Sequence, residues 1–256
     1  MTIERYARVT LDNGASVYAR LENGTAVLYD GAPWQGGAPD GSAVPLERAA
    51  LLCPVEPTKI LGIGRNYVDH AKELGSDVPS EPLMFLKPPS ALLAPGGTVL
   101  LPPESVRVDH EGELGVVIGR RCRRVSREAA LDVIFGYTIV CDVTARDLQV
   151  KDGQWSRAKG FDGFCPVGPH VVRSVDPSAL GLRVEVSGSV RQDGNTRDMM
   201  FGIAELIAHI SAAMTLEPGD LIATGTPQGV GPLKAGDHVV VRIDQLGALE
   251  FDVKSE

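Results

Sequence analysis

Val108-Asp109-His110-Glu111-Gly112-Glu113-Leu114-Gly115-Val116-Val117-Ile118 opens on polar side chains and closes as an uninterrupted apolar run. So short a segment, rich in Val, Leu and Ile, predicts a buried strand. Side chains two apart in a strand point to the same face, so Glu111 and Glu113 are expected to project together. Two carboxylates placed this way repel each other unless protons or a cation neutralise them. An all-oxygen ligand set suits Mg²⁺, Mn²⁺ or Ca²⁺ and argues against zinc or copper. A solvated strand face is the plainer reading of Glu-x-Glu, and spacing alone leaves both readings open.

The same composition recurs on either side. Apolar segments at residues 60–63, 133–141, 182–186, 221–224 and 238–243 predict further strands. The run ending at Cys141 stops at Asp142, where a lone carboxylate needs a counter-charge or an ion. Asp142 is therefore a third candidate metal ligand or a partner for Arg146. Ile203, Leu206, Ile207, Ile210 and Met214 recur at helical spacing before Glu217-Pro218-Gly219-Asp220, predicting one amphipathic helix whose apolar stripe is core. A shorter helix is expected from a cap at Ser126 through Glu128, Ala129 and Ala130. Strands outnumber helices and seldom alternate with them. The fold class is thus mainly β with few helices, an α+β arrangement rather than a doubly wound parallel sheet.

Toward the N-terminus, residues 5–11, 16–20 and 25–29 read as short strands joined at Asn13-Gly14 and Asn23-Gly24, dipeptides that supply the positive φ of tight hairpins. Residues 31–44 are dense in Gly and Pro and predict a linker or an Ω-type loop. A boundary near residues 54–57 divides the chain into a small β domain, residues 1–56, and a larger domain, residues 57–256.

Composition narrows the function. With 33 acidic against 25 basic side chains the formal charge is -8, which disfavours nucleic acid and anionic membranes as partners. No stretch approaches the roughly 20 apolar residues of a membrane span, and the first residues lack an apolar signal core, so a cytoplasmic protein is expected. The four cysteines form no Cys-x-x-Cys pair, so neither a zinc site nor a disulfide scaffold is indicated.

Seven stretches, in order, resemble the fumarylacetoacetate hydrolase family. They are Gly64-Arg65-Asn66-Tyr67-Val68-Asp69-His70-Ala71-Lys72-Glu73, Met84-Phe85-Leu86-Lys87-Pro88 and Asp109-His110-Glu111-Gly112-Glu113-Leu114. Asp142-Val143-Thr144-Ala145-Arg146-Asp147-Leu148-Gln149 and Ala158-Lys159-Gly160-Phe161-Asp162 follow. Arg191-Gln192-Asp193-Gly194-Asn195-Thr196 and Thr224-Gly225-Thr226-Pro227-Gln228-Gly229-Val230-Gly231 complete the set. The resemblance implies a mixed β-sandwich roll, a homodimer, and Mg²⁺ or Mn²⁺ held by Glu111, Glu113 and Asp142. The first fifty-odd residues resemble the small N-terminal β domain of some bacterial members.

By the same resemblance, His70 and Glu73 match a catalytic dyad whose carboxylate orients the imidazole as general base. Lys159 matches a lysine facing the site. Arg65, Tyr67, Lys87, Gln149, Gly225 and Thr226 are candidate substrate contacts, while Arg191, Asn195 and Thr196 are expected to brace a turn. The implied activity is cleavage of a carbon–carbon bond in an acylpyruvate or fumarylpyruvate, a 2-oxo acid, through an enolate that the cation stabilises. The alternatives are a 2-hydroxyhepta-2,4-diene-1,7-dioate isomerase or an oxaloacetate-type decarboxylase on the same metal. A non-catalytic protein that binds metal or a 2-oxo acid is the reading from another class. Residues 150–158 form a shorter stretch than in some members, and Trp155 within it is a candidate for the pocket wall, the core or a dimer contact.

Overall fold

The computed structural model describes residues 2–73, 75 and 77–256. Its centre is the strand Gly112–Ile118, buried on both faces. It pairs antiparallel with Ile134–Cys141 on one side and Leu221–Ala223 on the other. From this centre a large sheet extends both ways. One direction runs through Cys165–Arg173 to Glu4–Thr10, Ser16–Glu22, Thr25–Tyr29 and Pro39–Pro45, and the other through Ile60–Gly64 to Leu83–Lys87. A five-stranded sheet of Ser189–Asn195, Gly181–Val186, His238–Ile243, Gly247–Ser255 and Thr98–Leu101 packs across it.

The two sheets meet closely. A Cβ at Gly112 would lie 2.4 Å from Val184 and 3.1 Å from Val241, so only glycine lets them approach there. Leu114, Val116 and Ile118 enter one core with Val184, Val241 and Phe251, while Val117 on the opposite face packs with Val140 and Val167. This two-sided burial explains why the segment reads as a continuous apolar run rather than an alternating one.

Among the described residues the α-helices are few and short: α1 (Val68–Glu73), α2 (Arg146–Asp152), α3 (Ser156–Gly160) and α4 (Ile203–Ala213). α4 buries Ile203, Leu206, Ile207 and Ile210 as its spacing predicts. The mainly β class with few helices holds.

Two local expectations are corrected. Residues 31–44 are not simply a loop, because Pro39–Pro45 forms a strand on Thr25–Tyr29. It is the outermost and mostly exposed strand of the sheet, where proline and glycine interrupt little, so its composition resembles a linker. No helix starts at Ser126. The chain turns through residues 127–129 and a short 3-10 segment, Ala130–Val133, before entering Ile134–Cys141.

Glu4, Arg5 and Tyr6 pair with Arg173, Val172 and Val171, so the N-terminal strands continue the large sheet. Trp34 packs edge-on against Tyr18 and Phe135 across the same junction.

Candidate active site

Backbone pairing brings the three acids together. Gly112 lies opposite Cys141, and one step further the Asp142 amide donates to the Glu111 carbonyl at 2.8 Å. Glu111 sits where the chain leaves the short strand Val108–His110 for Gly112–Ile118. Glu111, Glu113 and Asp142 each present one carboxylate oxygen within 4.8 Å of the others, and all three are buried.

Their surroundings differ. Glu111 accepts from Arg146 and, at 2.9 Å, from the Lys159 ammonium. Asp142 accepts from Lys87 at 2.6 Å on one oxygen and from Lys159 at 2.5 Å on the other. Among the described residues no cation touches Glu113, whose carboxylate accepts the Gly225 amide at 2.8 Å. Burial, with Asp142 and Glu111 beside it, pushes the Glu113 carboxyl well above its ordinary value. Burial acts on Glu111 too, but Arg146 and Lys159 outweigh it and hold that carboxyl well below the usual range. An unpaired buried carboxylate facing two others is a tension that a divalent cation relieves, so this donor set fits a hard ion.

Glu111 and Glu113 form the floor of a cavity of about 320 Å³, with Asp142 buried behind them, and its walls include Ile63, Gly64, Arg65, His70, Arg107, Arg146, Gln149, Val150, Trp155, Lys159 and Thr226. His70 is buried on α1, and its Nδ1 lies 3.3 Å from Glu73. A carboxylate only accepts, so Nδ1 carries the proton and Nε2 is the basic nitrogen. Glu73 also accepts the Gly229 amide, at 3.0 and 3.1 Å on its two oxygens, which ties α1 to the glycine-rich loop. Burial lowers the His70 pKa against the opposing pull of Glu111 and Glu73, keeping the ring neutral near pH 7.

Lys159, on α3, is enclosed by Glu111, Asp142 and Thr144, with its ammonium 4.7 Å from the Phe85 ring centroid. Burial opposes its charge, yet Asp142 and Glu111 hold the pKa above the ordinary lysine value. Trp155 stands against Gly64, where a Cβ would meet the indole at 2.7 Å, and so forms a wall of the cavity. Arg65 has a left-handed backbone, φ 57, a conformation that is strained for a non-glycine residue and concentrates at functional sites.

Of the other expected substrate contacts, Gln149 and Thr226 line the cavity, and three do not. The Lys87 ammonium is enclosed behind Asp142, donating also to the Phe164 carbonyl at 2.9 Å, so it supports the acid and does not line the cavity. The Gly225 amide is spent on Glu113. Tyr67 is 2% exposed and its hydroxyl has no partner among the described residues. Arg146 pairs with Asp109 at 2.9 Å and with Glu111, not with Asp142. Arg107 and Val150 also stand in the wall and Gln192 behind it, positions that no local pattern in the sequence marks. Gln192 stands in a quoted stretch, but nothing in its spacing shows what its amide reaches.

The family model for the fumarylacetoacetate (FAA) hydrolase C-terminal domain matches residues 59–254, and an Rv2993c-like N-terminal model matches residues 4–54. The chain belongs to the fumarylacetoacetate hydrolase family. An uncharacterized protein of Pyrococcus horikoshii is 53% identical over 208 residues, 79% of this chain and 90% of that one. The crystal structure of a 2-hydroxyhepta-2,4-diene-1,7-dioate isomerase from Mycobacterium marinum superposes with a TM-score of 0.92 at 42% identity, covering 99% of each chain. A maleylpyruvate hydrolase from Sphingobium sp. SYK-6, solved with manganese(II) and pyruvate, gives a TM-score of 0.80 at 34% identity over 98% of this chain and 99% of that one. Among the described residues no helix is long and apolar enough to cross a membrane.

Proposed function

We propose that this chain is a divalent-metal-dependent hydrolase that cleaves a carbon–carbon bond in a β-diketo acid of acylpyruvate or fumarylpyruvate type. The observation that carries the reading is a cavity floored by Glu111 and Glu113, with Asp142 grouped behind them, that also holds a neutral histidine whose Nδ1 is held by Glu73. Hydrolysis needs a base for water, whereas isomerisation and decarboxylation do not need that role. The maleylpyruvate hydrolase that holds manganese and pyruvate supports a pyruvate-like head group at this floor.

Glu111, Glu113 and Asp142 would hold Mg²⁺ or Mn²⁺, which supplies Lewis acidity to a bound 2-oxo acid. His70 Nε2 takes a proton from water as the water oxygen bonds to the distal carbonyl carbon, and Glu73 steadies the imidazolium that results. The carbon–carbon bond breaks with its electron pair on the pyruvate side, and the ammonium of Lys159 offsets the enolate charge. The His70 imidazolium returns its proton to the enolate carbon, which releases pyruvate and a carboxylic acid and restores the base. Trp155, Val150 and Ile63 give the departing acyl group an apolar wall and limit the water around it.

The test is pyruvate release from acylpyruvates by the metal-loaded protein, before and after chelation and in His70→Ala. Turnover that needs both metal and His70 supports hydrolysis. Turnover of none of these substrates, nor of oxaloacetate or a hydroxydiene-dioate, with oxalate still bound, would leave a non-catalytic binder.

The isomerase from Mycobacterium marinum favours one second reading, dioate isomerisation at the same site, and oxaloacetate decarboxylation would draw on the same metal-stabilised enolate. Rapid loss of carbon dioxide from oxaloacetate, unaffected by His70→Ala and with acylpyruvates left intact, would favour it.

A further inference from the structure

Gln192 has no exposed surface, lies on Ser189–Asn195 and points its amide between two parts of the site. Its Oε1 accepts from the Gly112 amide at 3.0 Å and from His110 Nδ1 at 3.1 Å. Its Nε2 donates to Thr226 Oγ1 at 2.7 Å and to the Pro227 carbonyl at 2.8 Å. A primary amide has two acceptor positions and two N–H donors, so its full capacity is used. The partners leave no choice of orientation, because a backbone amide can only donate and a carbonyl can only accept. His110 must therefore carry its proton on Nδ1.

Thr226 closes a ring. Its hydroxyl accepts from Gln192 and donates to the Gly112 carbonyl at 2.8 Å. Both backbone polar groups of Gly112, the residue between Glu111 and Glu113, thus end on Gln192 or on the hydroxyl that Gln192 holds. The loop beyond is laid against the same strand, since a Cβ at Gly229 would sit 2.2 Å from the Arg191 carbonyl and one at Gly194 2.6 Å from Pro227.

We propose that Gln192 is a positioning residue that locks the segment bearing the two glutamates to the Thr226 wall, so that floor and wall keep one register around substrate. The proposal rests on reading this cavity as the active site. A displacement of about 1 Å between floor and wall is enough to lower a rate on the order of a hundredfold.

The experiment compares Gln192→Met, which keeps the length and removes the amide, with Gln192→Glu, which keeps the acceptor and removes the donor. In manganese-loaded protein both are expected to lower kcat by about tenfold to a hundredfold, with KM changed much less. Glu is expected to retain more activity than Met, because the His110 and Gly112 bonds survive. A folded variant with kcat within about twofold of the parent overturns the proposal, since losses of tenfold or more follow from disturbing such partners. If Met does not fold, Glu decides. If the parent turns over no acylpyruvate, oxalate affinity is the readout: about tenfold loss in Gln192→Glu supports the role and no change overturns it. Nitrogen-15 spectra of the unsubstituted protein give an independent arm, with His110 protonated on Nδ1 expected and a proton on Nε2 contradicting the arrangement.

Discussion

Burial raises the Glu113 carboxyl and lowers the His70 imidazole, so each favours its neutral form beyond its ordinary range. For Glu113 the native state holds the proton more tightly than the unfolded chain. The contribution of Glu113 to the stability of the metal-free protein is therefore full below the ordinary 4.5 and falls as pH rises past it. Glu113→Gln keeps the shape without the charge. At neutral pH the metal-free variant is expected to be more stable than the parent by on the order of 1 kcal/mol, a rise of a few degrees in Tm. The same variant should lose the stabilisation that Mn²⁺ gives the parent, and calorimetric melts with and without the ion check both halves. For His70 the sign is the reverse. A base must be unprotonated, and its lowered pKa keeps it so to a pH below the ordinary 6.5. kcat/KM is expected to fall only as pH drops below that value. His70→Ala should lose about a hundredfold to ten-thousandfold and flatten this acid limb. A full acid limb surviving in the variant would remove His70 from the mechanism.

The glycine-rich loop after Leu221–Ala223 shows how an element delivers chemistry through its backbone. Gly225 has φ +99, and a Cβ there would lie 2.7 Å from the Asn66 Cβ and 3.1 Å from the Ile63 carbonyl. Asn66 is itself fixed by bonds to Thr224 and Phe201, so it cannot move aside cheaply. Gly225→Ala is expected to cost on the order of 1–3 kcal/mol through strain and to displace the amide that holds Glu113. Thermal melts and Mn²⁺ titration should show lower stability together with weaker metal binding, and an unchanged titration would deny the amide its role. Parts of the site are legible in the sequence and parts are not. Glu111, Glu113 and Asp142 announced themselves as charges set against buried strands, and α4 by its apolar period. Asp142 differed from expectation only in its partners, because Lys87 and Lys159 arrive from segments distant in sequence. No local pattern reveals such arrivals. Lys87 looked like a substrate contact for the same reason, since its motif is local and its burial behind Asp142 is not. The strand Pro39–Pro45 was hidden because an edge strand needs little apolar surface.

At the scale of the molecule, the N-terminal strands lengthen the sheet that carries the acids and lie on the side away from Ile60–Gly64 and α1. The site itself is assembled from the segment 111–113, Asp142, α1, α2, α3 and the loop 224–231, all brought against Gly112–Ile118. We propose a homodimer, which sedimentation should report as about twice the 27.2 kDa chain mass. A protein sedimenting at the chain mass at all working concentrations would contradict it. If one divalent ion binds only the folded state, saturation at about 100 times Kd adds roughly 2.7 kcal/mol to stability. The most direct test of the whole account is anomalous diffraction from a crystal grown with Mn²⁺ and oxalate. The account predicts one manganese peak per chain, about 2.0–2.2 Å from oxygens of Glu111, Glu113 and Asp142, with oxalate completing its shell on the side of His70. A peak elsewhere, or those three carboxylates turned away from a common point, would contradict it.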